Sequence, residues 1–134
     1  TDVVEDELAF SMESLNLPNE VMRKRTEEVL DLLSLAPIRD RKIATLSGGE
    51  QQRVAIARSI ISKPFLLLAD EPTGNLDSKT SYEIMNIFSK IHADGNTVVL
   101  VTHEEDISNY AKRVIRLRDG VIESDKRKQT AELV

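Results

Sequence analysis

Three short stretches of this 134-residue chain carry residue types that packing alone does not require. The first is Asp70-Glu71, which follows the apolar run Phe65-Leu66-Leu67-Leu68-Ala69. Buried carboxylates are costly unless paired or bound to metal, so two adjacent acids here suggest divided labour. Asp70 would hold Mg²⁺ through water, because that ion keeps much of its hydration shell. Glu71 would face the substrate and polarise an attacking water. A loop of surface acids after a strand is the plainer alternative.

The second stretch is Leu46-Ser47-Gly48-Gly49-Glu50. Ser47 and Glu50 have the spacing of a capping box, in which side chains satisfy the free amides of a helix start. Two glycines exceed that need and cost helix stability. They leave backbone N–H groups bare at the positive end of a helix, an arrangement that binds phosphate. The third is His103, at the end of a second apolar run after Thr102. It is placed to hydrogen-bond a terminal phosphate, although a lone histidine is more often structural. Between these lies Gly74-Asn75-Leu76-Asp77, a turn in which Asp77 can cap the helix that follows.

The elements that position these residues divide near residue 63. Before it the periodicity is helical: Val4, Leu8, Met12 and Leu15 recur on one face, ending at Pro18. A second helix is expected from Asn19, as N-cap, to about Ser34, burying Met22, Val29, Leu30 and Leu33. Pro37 opens a charged loop, Arg39-Asp40-Arg41-Lys42. A third helix follows Ser47 and stops at Lys63-Pro64, because the residue before proline is pushed out of the helical region.

After residue 64, residues 65–69 and 97–102 read as strands buried on both faces. Ile84, Ile87, Phe88 and Ile91 mark the helix between them, closed by Asp94-Gly95. A short helix through Ile107 and Tyr110 comes next, then a hairpin turning at Asp119-Gly120. The tail with Lys126-Arg127-Lys128 is expected to fray. The alternation of strand and helix predicts an α/β fold with a parallel sheet, whose ligands collect at the carboxyl ends of the strands.

Composition narrows the classes. Eighteen basic and 23 acidic residues give a net charge of −5, unlike a nucleic-acid-binding module. There is no cysteine, so disulfides and Cys-ligated metals are excluded. No apolar run approaches the ~18 residues needed to cross a bilayer. The acidic start, Thr1 to Glu7, does not read as a signal peptide.

Taken in order, Leu-Ser-Gly-Gly at 46–49, an apolar strand ending Asp-Glu, Pro72-Thr73-Gly74-Asn75-Leu76-Asp77 and a strand ending in His103 strongly resemble the ATP-binding-cassette (ABC) ATPases. The resemblance covers nearly the whole chain. It makes 46–50 the signature motif, 66–71 the Walker B strand, 74–77 the D-loop and His103 the switch histidine. Residues 71–77 look most like the lipoprotein-release and macrolide-export branch, whereas 4–10 look more like a vitamin-uptake branch. The resemblance implies a helical signature subdomain at 1–63 and the C-terminal half of a P-loop NTPase core at 64–134. It implies ATP and Mg²⁺ as ligands, with Asp70 for the metal, Glu71 as catalytic base and His103 on the γ-phosphate. Ser47, Gly48, Gly49 and Glu50 would contact nucleotide across a dimer interface, with Asn75, Leu76 and Asp77 also in that interface.

The family's P-loop, Gly-x-x-x-x-Gly-Lys-Ser/Thr, does not occur in these 134 residues, and no Gly-Lys pair is present. The chain alone is therefore expected to be inactive. The expected partners are a second ATPase subunit or P-loop-containing half and a transmembrane transporter subunit, at the inner face of the membrane, without nucleic acid. An incomplete sheet leaves an apolar edge, so self-association is expected too. The competing reading is a non-enzymatic structural, truncated or engineered fragment. A chromosome-maintenance, repair or translation relative ranks last, since basic patches and coiled-coil insertions are missing.

Overall fold

The computed structural model describes residues 3–128. Helix α1 spans Val4–Met12 and buries Val4, Leu8 and Met12. It ends earlier than the apolar spacing predicts. Glu13–Leu15 tighten into a 3₁₀ turn, and Asn16 then takes a left-handed φ of 50°. Helix α2, Asn19–Leu32, has Pro18 rather than Asn19 at its N-cap, with no side-chain cap. Its buried face is Thr26, Val29 and Leu30, while Met22 is only half-buried.

The expected charged loop works as a clasp. The Arg39 guanidinium donates to both carboxylate oxygens of Glu5 (2.8 and 3.2 Å) and of Glu27 (2.5 and 3.2 Å). These pairs hold the Arg39 guanidinium in its charged form and lower both carboxyl pKa values. The Arg41 and Arg39 carbonyls accept from the Val4 and Glu5 amides at 3.2 and 3.0 Å. First-turn amides have no acceptor inside their own helix, and α1 has no side-chain cap, so this loop supplies what its start lacks.

Helix α3, Gly48–Ile60, opens with the expected capping box. Strand β1, Leu66–Asp70, pairs in parallel with β2, Thr97–Val101, in register from Leu66↔Thr97 to Asp70↔Val101. Helix α4, Ser78–Ala93, is the crossover between them. Short helix α5 is Glu105–Ser108. Strands β3, Arg113–Arg118, and β4, Val121–Arg127, form a separate antiparallel hairpin. Its turn residues Asp119 and Gly120 both have positive φ, 52° and 77°, as the tightest hairpin turns require. The expected fraying of the basic tail is not seen at its start: Lys126 and Arg127 pair with Val114 and Arg113. Lys128 is held as well, its amide donating to the Lys112 carbonyl at 2.9 Å, and residues 129–134 lie outside the described residues.

The expectation that β1 and β2 are buried on both faces is corrected. Leu67 and Ala69 are 7% and 8% exposed, but Leu68 is 70% and Phe65 86%. Val99 and Val101 are exposed as well. A single crossover covers one face of a parallel pair, and burial of both needs a second layer. Among the described residues no such layer is present. The covered face joins one hydrophobic cluster that runs from Val4 and Leu30 through Val54 and Ile84 to Ile107. No described helix is long and apolar enough to cross a membrane.

Candidate functional site

Parallel pairing brings the carboxyl ends of β1 and β2 to the same edge, with Asp70 opposite Val101. The Glu71 amide extends the ladder by one bond, donating to the Val101 carbonyl at 2.7 Å. The chain then turns sharply. Glu71 takes a left-handed φ of 47°, and its carbonyl accepts from the Gly74 amide at 3.0 Å. Two residues beyond Val101, His103 reaches back across the strand pair.

Glu71 and His103, which the sequence assigns to separate tasks, bind each other. Glu71 Oε1 accepts from the His103 backbone amide at 3.1 Å and from the ring Nδ1 at 2.7 Å. A carboxylate only accepts, so Nδ1 carries the proton. His103 holds the Glu71 carboxyl below its ordinary pKa, chiefly through the side-chain hydrogen bond, with a smaller contribution from Thr102. The same bond raises the pKa of His103. Both groups face solvent, so the pair is a local latch rather than a source of global stability.

Asp70 is exposed at the same edge. Among the described residues, no three acid or histidine side chains converge on a metal position. Asp70 alone could offer Mg²⁺ one carboxylate, the sparse kind of protein ligand that ion accepts when water and substrate phosphates supply the rest.

The second group lies at the start of α3. The Ser47 hydroxyl accepts from the Glu50 amide at 3.2 Å, and Glu50 Oε1 accepts from the Ser47 amide at 2.9 Å. Those bonds lower the Glu50 pKa. Gly48 is exposed and Gly49 is buried. A Cβ on Gly48 would sit 3.4 Å from Leu76 Cδ2, an ordinary contact. On Gly49 it would sit 2.4 Å from Thr80 Cγ2. The second glycine therefore has a steric reason inside this chain, beyond any bare amide. Asp77 caps α4 through the Thr80 amide at 3.5 Å, and Asn75, with φ of 66°, is exposed before it.

The structure thus brings Asp70, Glu71 and His103 to one strand edge. It sets Gly48 against Leu76 and Gly49 against Thr80, on the segment that leaves that edge. Sequence reasoning missed Thr80, Thr102 and Arg53. The Arg53 Nε is buried without a partner, and its Nη1 lies 3.6 Å from Glu83. Only the glycine pair hinted at a close approach, and nothing in the sequence named its neighbour. A cavity of about 500 Å³ lies elsewhere, between α4, β2 and Tyr110–Arg113.

The family model described as "ABC transporter" matches residues 2–74. The macrolide export ATP-binding/permease protein MacB of Chlorobaculum tepidum is 51% identical over 111 residues, covering 83% of this chain and 17% of the relative. The cell division ATP-binding protein FtsE of Bacillus subtilis is 47% identical over 121 residues, covering 90% of this chain and 53% of the relative. The structure of cbiO1 from Clostridium perfringens, part of the ABC transporter complex cbiONQ, superposes with a TM-score of 0.90 at 29% identity, covering 95% of this chain and 51% of that one. The ATP-binding cassette MJ0796, solved as a dimer bound to ADP and Pi, gives a TM-score of 0.69 at 42% identity, covering 83% of this chain and 49% of that one. The chain spans about half the length of FtsE and about a sixth of MacB. With a family model over more than half its residues and the fold to match, the chain belongs to the ABC transporter ATP-binding domain family.

Proposed function

We propose that this chain forms the signature-bearing and Walker B-bearing part of an ATPase that couples ATP hydrolysis to transport across a membrane. The observation that carries this reading is the Glu71–His103 pair beside Asp70, at the carboxyl edge of two parallel strands. Both His103 contacts fall on Oε1, so Oε2 is not engaged by His103 and can orient a water. Glu71 accepts the proton of that water as it attacks the terminal phosphorus of ATP. His103 keeps the carboxylate turned toward the strand edge and, when its ring is doubly protonated, donates its Nε2–H to the phosphate. Mg²⁺ held through Asp70 would neutralise phosphate charge as the bond to the leaving diphosphate breaks.

Ser47 and the Gly48 and Gly49 amides suit a phosphate approached from a second subunit, and Asn75, Leu76 and Asp77 suit the interface beside it. The helical segment 3–46, within the signature subdomain at 1–63, would face a transmembrane partner, and 64–134 would carry the hydrolytic half, at the inner face of the membrane. The expected inactivity of the chain alone rests on the lack of a Gly-Lys pair in these residues.

Glu71→Gln in the intact ATPase that carries this chain tests the reading. Turnover should vanish while ATP binding survives; retained turnover refutes the role given to Glu71. A second reading, a structural fragment that self-associates, is favoured by one observation: the open apolar face formed by Leu66, Leu68, Val99 and Val101. Mixing the chain with a P-loop-containing half separates the two. ATP hydrolysis that appears only in the mixture supports the ATPase, and a folded but silent mixture supports the fragment.

A further inference from the structure

Gly49 and Arg53 lie four residues apart on α3, and Thr80 and Glu83 three apart on α4. Such spacings put each pair on one helix face. The two faces meet at two levels: Gly49 against Thr80, then Arg53 against Glu83. The upper contact is the tighter. A methyl on Gly49 would fall 2.4 Å from Thr80 Cγ2, whereas Thr80 Cβ and Oγ1 stand off at 3.8 and 4.0 Å. Only one methyl group therefore dictates a glycine at position 49. Thr80 has little room to yield. β-branching confines its χ1 to two wells in a helix, and it sits in the first turn of α4, where its amide meets the Asp77 cap.

We propose that Thr80 is a positioning residue: its methyl, seated in the gap left by Gly49, fixes the start of α3 against the start of α4. Ser47 and Gly48 then keep a set spacing from Leu76 and Asp77. Arg53 and Glu83 hold the same two helices one turn further along. Gly49 is needed as the mate of Thr80, in addition to any phosphate its amide meets. This inference rests on the ATPase reading for its activity readout alone.

The test is a four-variant cycle in the intact ATPase: parent, Gly49→Ala, Thr80→Ser and the double variant. Serine keeps the hydroxyl and removes only Cγ2. Two quantities are measured, kcat with KM for ATP, and amide hydrogen exchange at 47–49 and 75–77. Gly49→Ala should lower kcat by roughly 10- to 100-fold, the scale of a displacement of about 1 Å at a reacting group. It should speed exchange in both segments. Thr80→Ser, which empties the gap, should speed exchange in both segments and lower kcat less than Gly49→Ala does; a Thr80→Ser variant identical to the parent in both overturns the proposal. The double variant should recover both rate and protection.

A double variant as slow as Gly49→Ala overturns the proposal, because the glycine would then serve the ligand rather than Thr80. Exchange at 75–77 that ignores Gly49→Ala overturns it too. Should Gly49→Ala alone fail to fold, a folded double variant is the same rescue, and an unfolded one is the same refutation. A parent without ATP hydrolysis would defeat the ATPase reading, and the exchange data would still decide the packing claim.

Discussion

The helical region before residue 63 and the strands after it close their apolar surfaces to different degrees. In the first, Leu8, Met12, Leu30, Leu33 and Leu35 are fully buried. In the second, Phe65, Leu68, Val99 and Val101 face solvent, as do Leu117, Val121 and Ile122 of the hairpin. A helix hides one stripe, and neighbours close in sequence can cover it. A parallel sheet presents two full faces, and one crossover helix covers only one of them. Packing that relies on local partners is satisfied here, and packing that needs a second layer is not. The candidate chemistry lies between these regions, at the edge where β1 and β2 end.

The largest effect that would test this contrast is on stability. Leu30→Ala should cost about 2–5 kcal/mol, the range for a large aliphatic side chain removed from a core. Leu68→Ala should stay within about 0.5 kcal/mol, as for a surface change. Urea unfolding of the two variants measures both. A comparable loss at Leu68 would mean that the sheet face is covered in solution. The next effect concerns association. Leu68→Lys with Val99→Lys should lower the sedimentation-average mass of the chain, because an exposed apolar patch drives contact. An unchanged mass would show that this face does not drive assembly.

A smaller effect is expected at the boundary. Ser47→Ala removes the cap of α3 and should cost about 1 kcal/mol. An unchanged urea midpoint would show that the box contributes nothing to folding. The smallest is a titration. His103 should lose its proton above the ordinary histidine pKa, and Glu71→Gln should bring it back toward that value. The sign follows from both shifts. Raised at His103, the ion pair is present below that folded pKa and fades as pH rises through it. Lowered at Glu71, it is present above that folded pKa and fades as pH falls through it. The latch is therefore charged across mildly acidic pH. Imidazole shifts followed by NMR against pH read it directly, and an unshifted His103 would break the latch.

The elements that sequence reveals are those with local instructions. Asp119-Gly120 announces its turn, because both residues tolerate positive φ. Ser47 and Glu50 announce the α3 cap by spacing. Asp77 announces the start of α4. Asn19 misleads, since Pro18 with its fixed φ takes the cap position. The apolar runs at 65–69 and 97–101 mislead in another way. They show that both strand faces are apolar, not that both are covered. At the site, the residue types at 70, 71 and 103 stand out in the sequence. The bond between Glu71 and His103, 32 positions apart, does not, because it depends on β1 and β2 pairing in one particular register. The Arg39 clasp and the Gly49–Thr80 approach are hidden for the same reason: each joins residues far apart in the chain.

The left-handed turn at Glu71 settles a matter of parity. Along β1, odd positions 67 and 69 point into the core, and even positions 66, 68 and 70 point out. Had the strand run one residue further, position 71 would have inherited the inward side and sunk a carboxylate among Leu67 and Ala69. The turn breaks the count and lets two neighbouring acids both reach the open edge. A one-residue insertion or deletion inside β1 would reverse the parity and exchange the fates of the two acids. The length of this strand is therefore as much a part of the chemistry as the acids that end it.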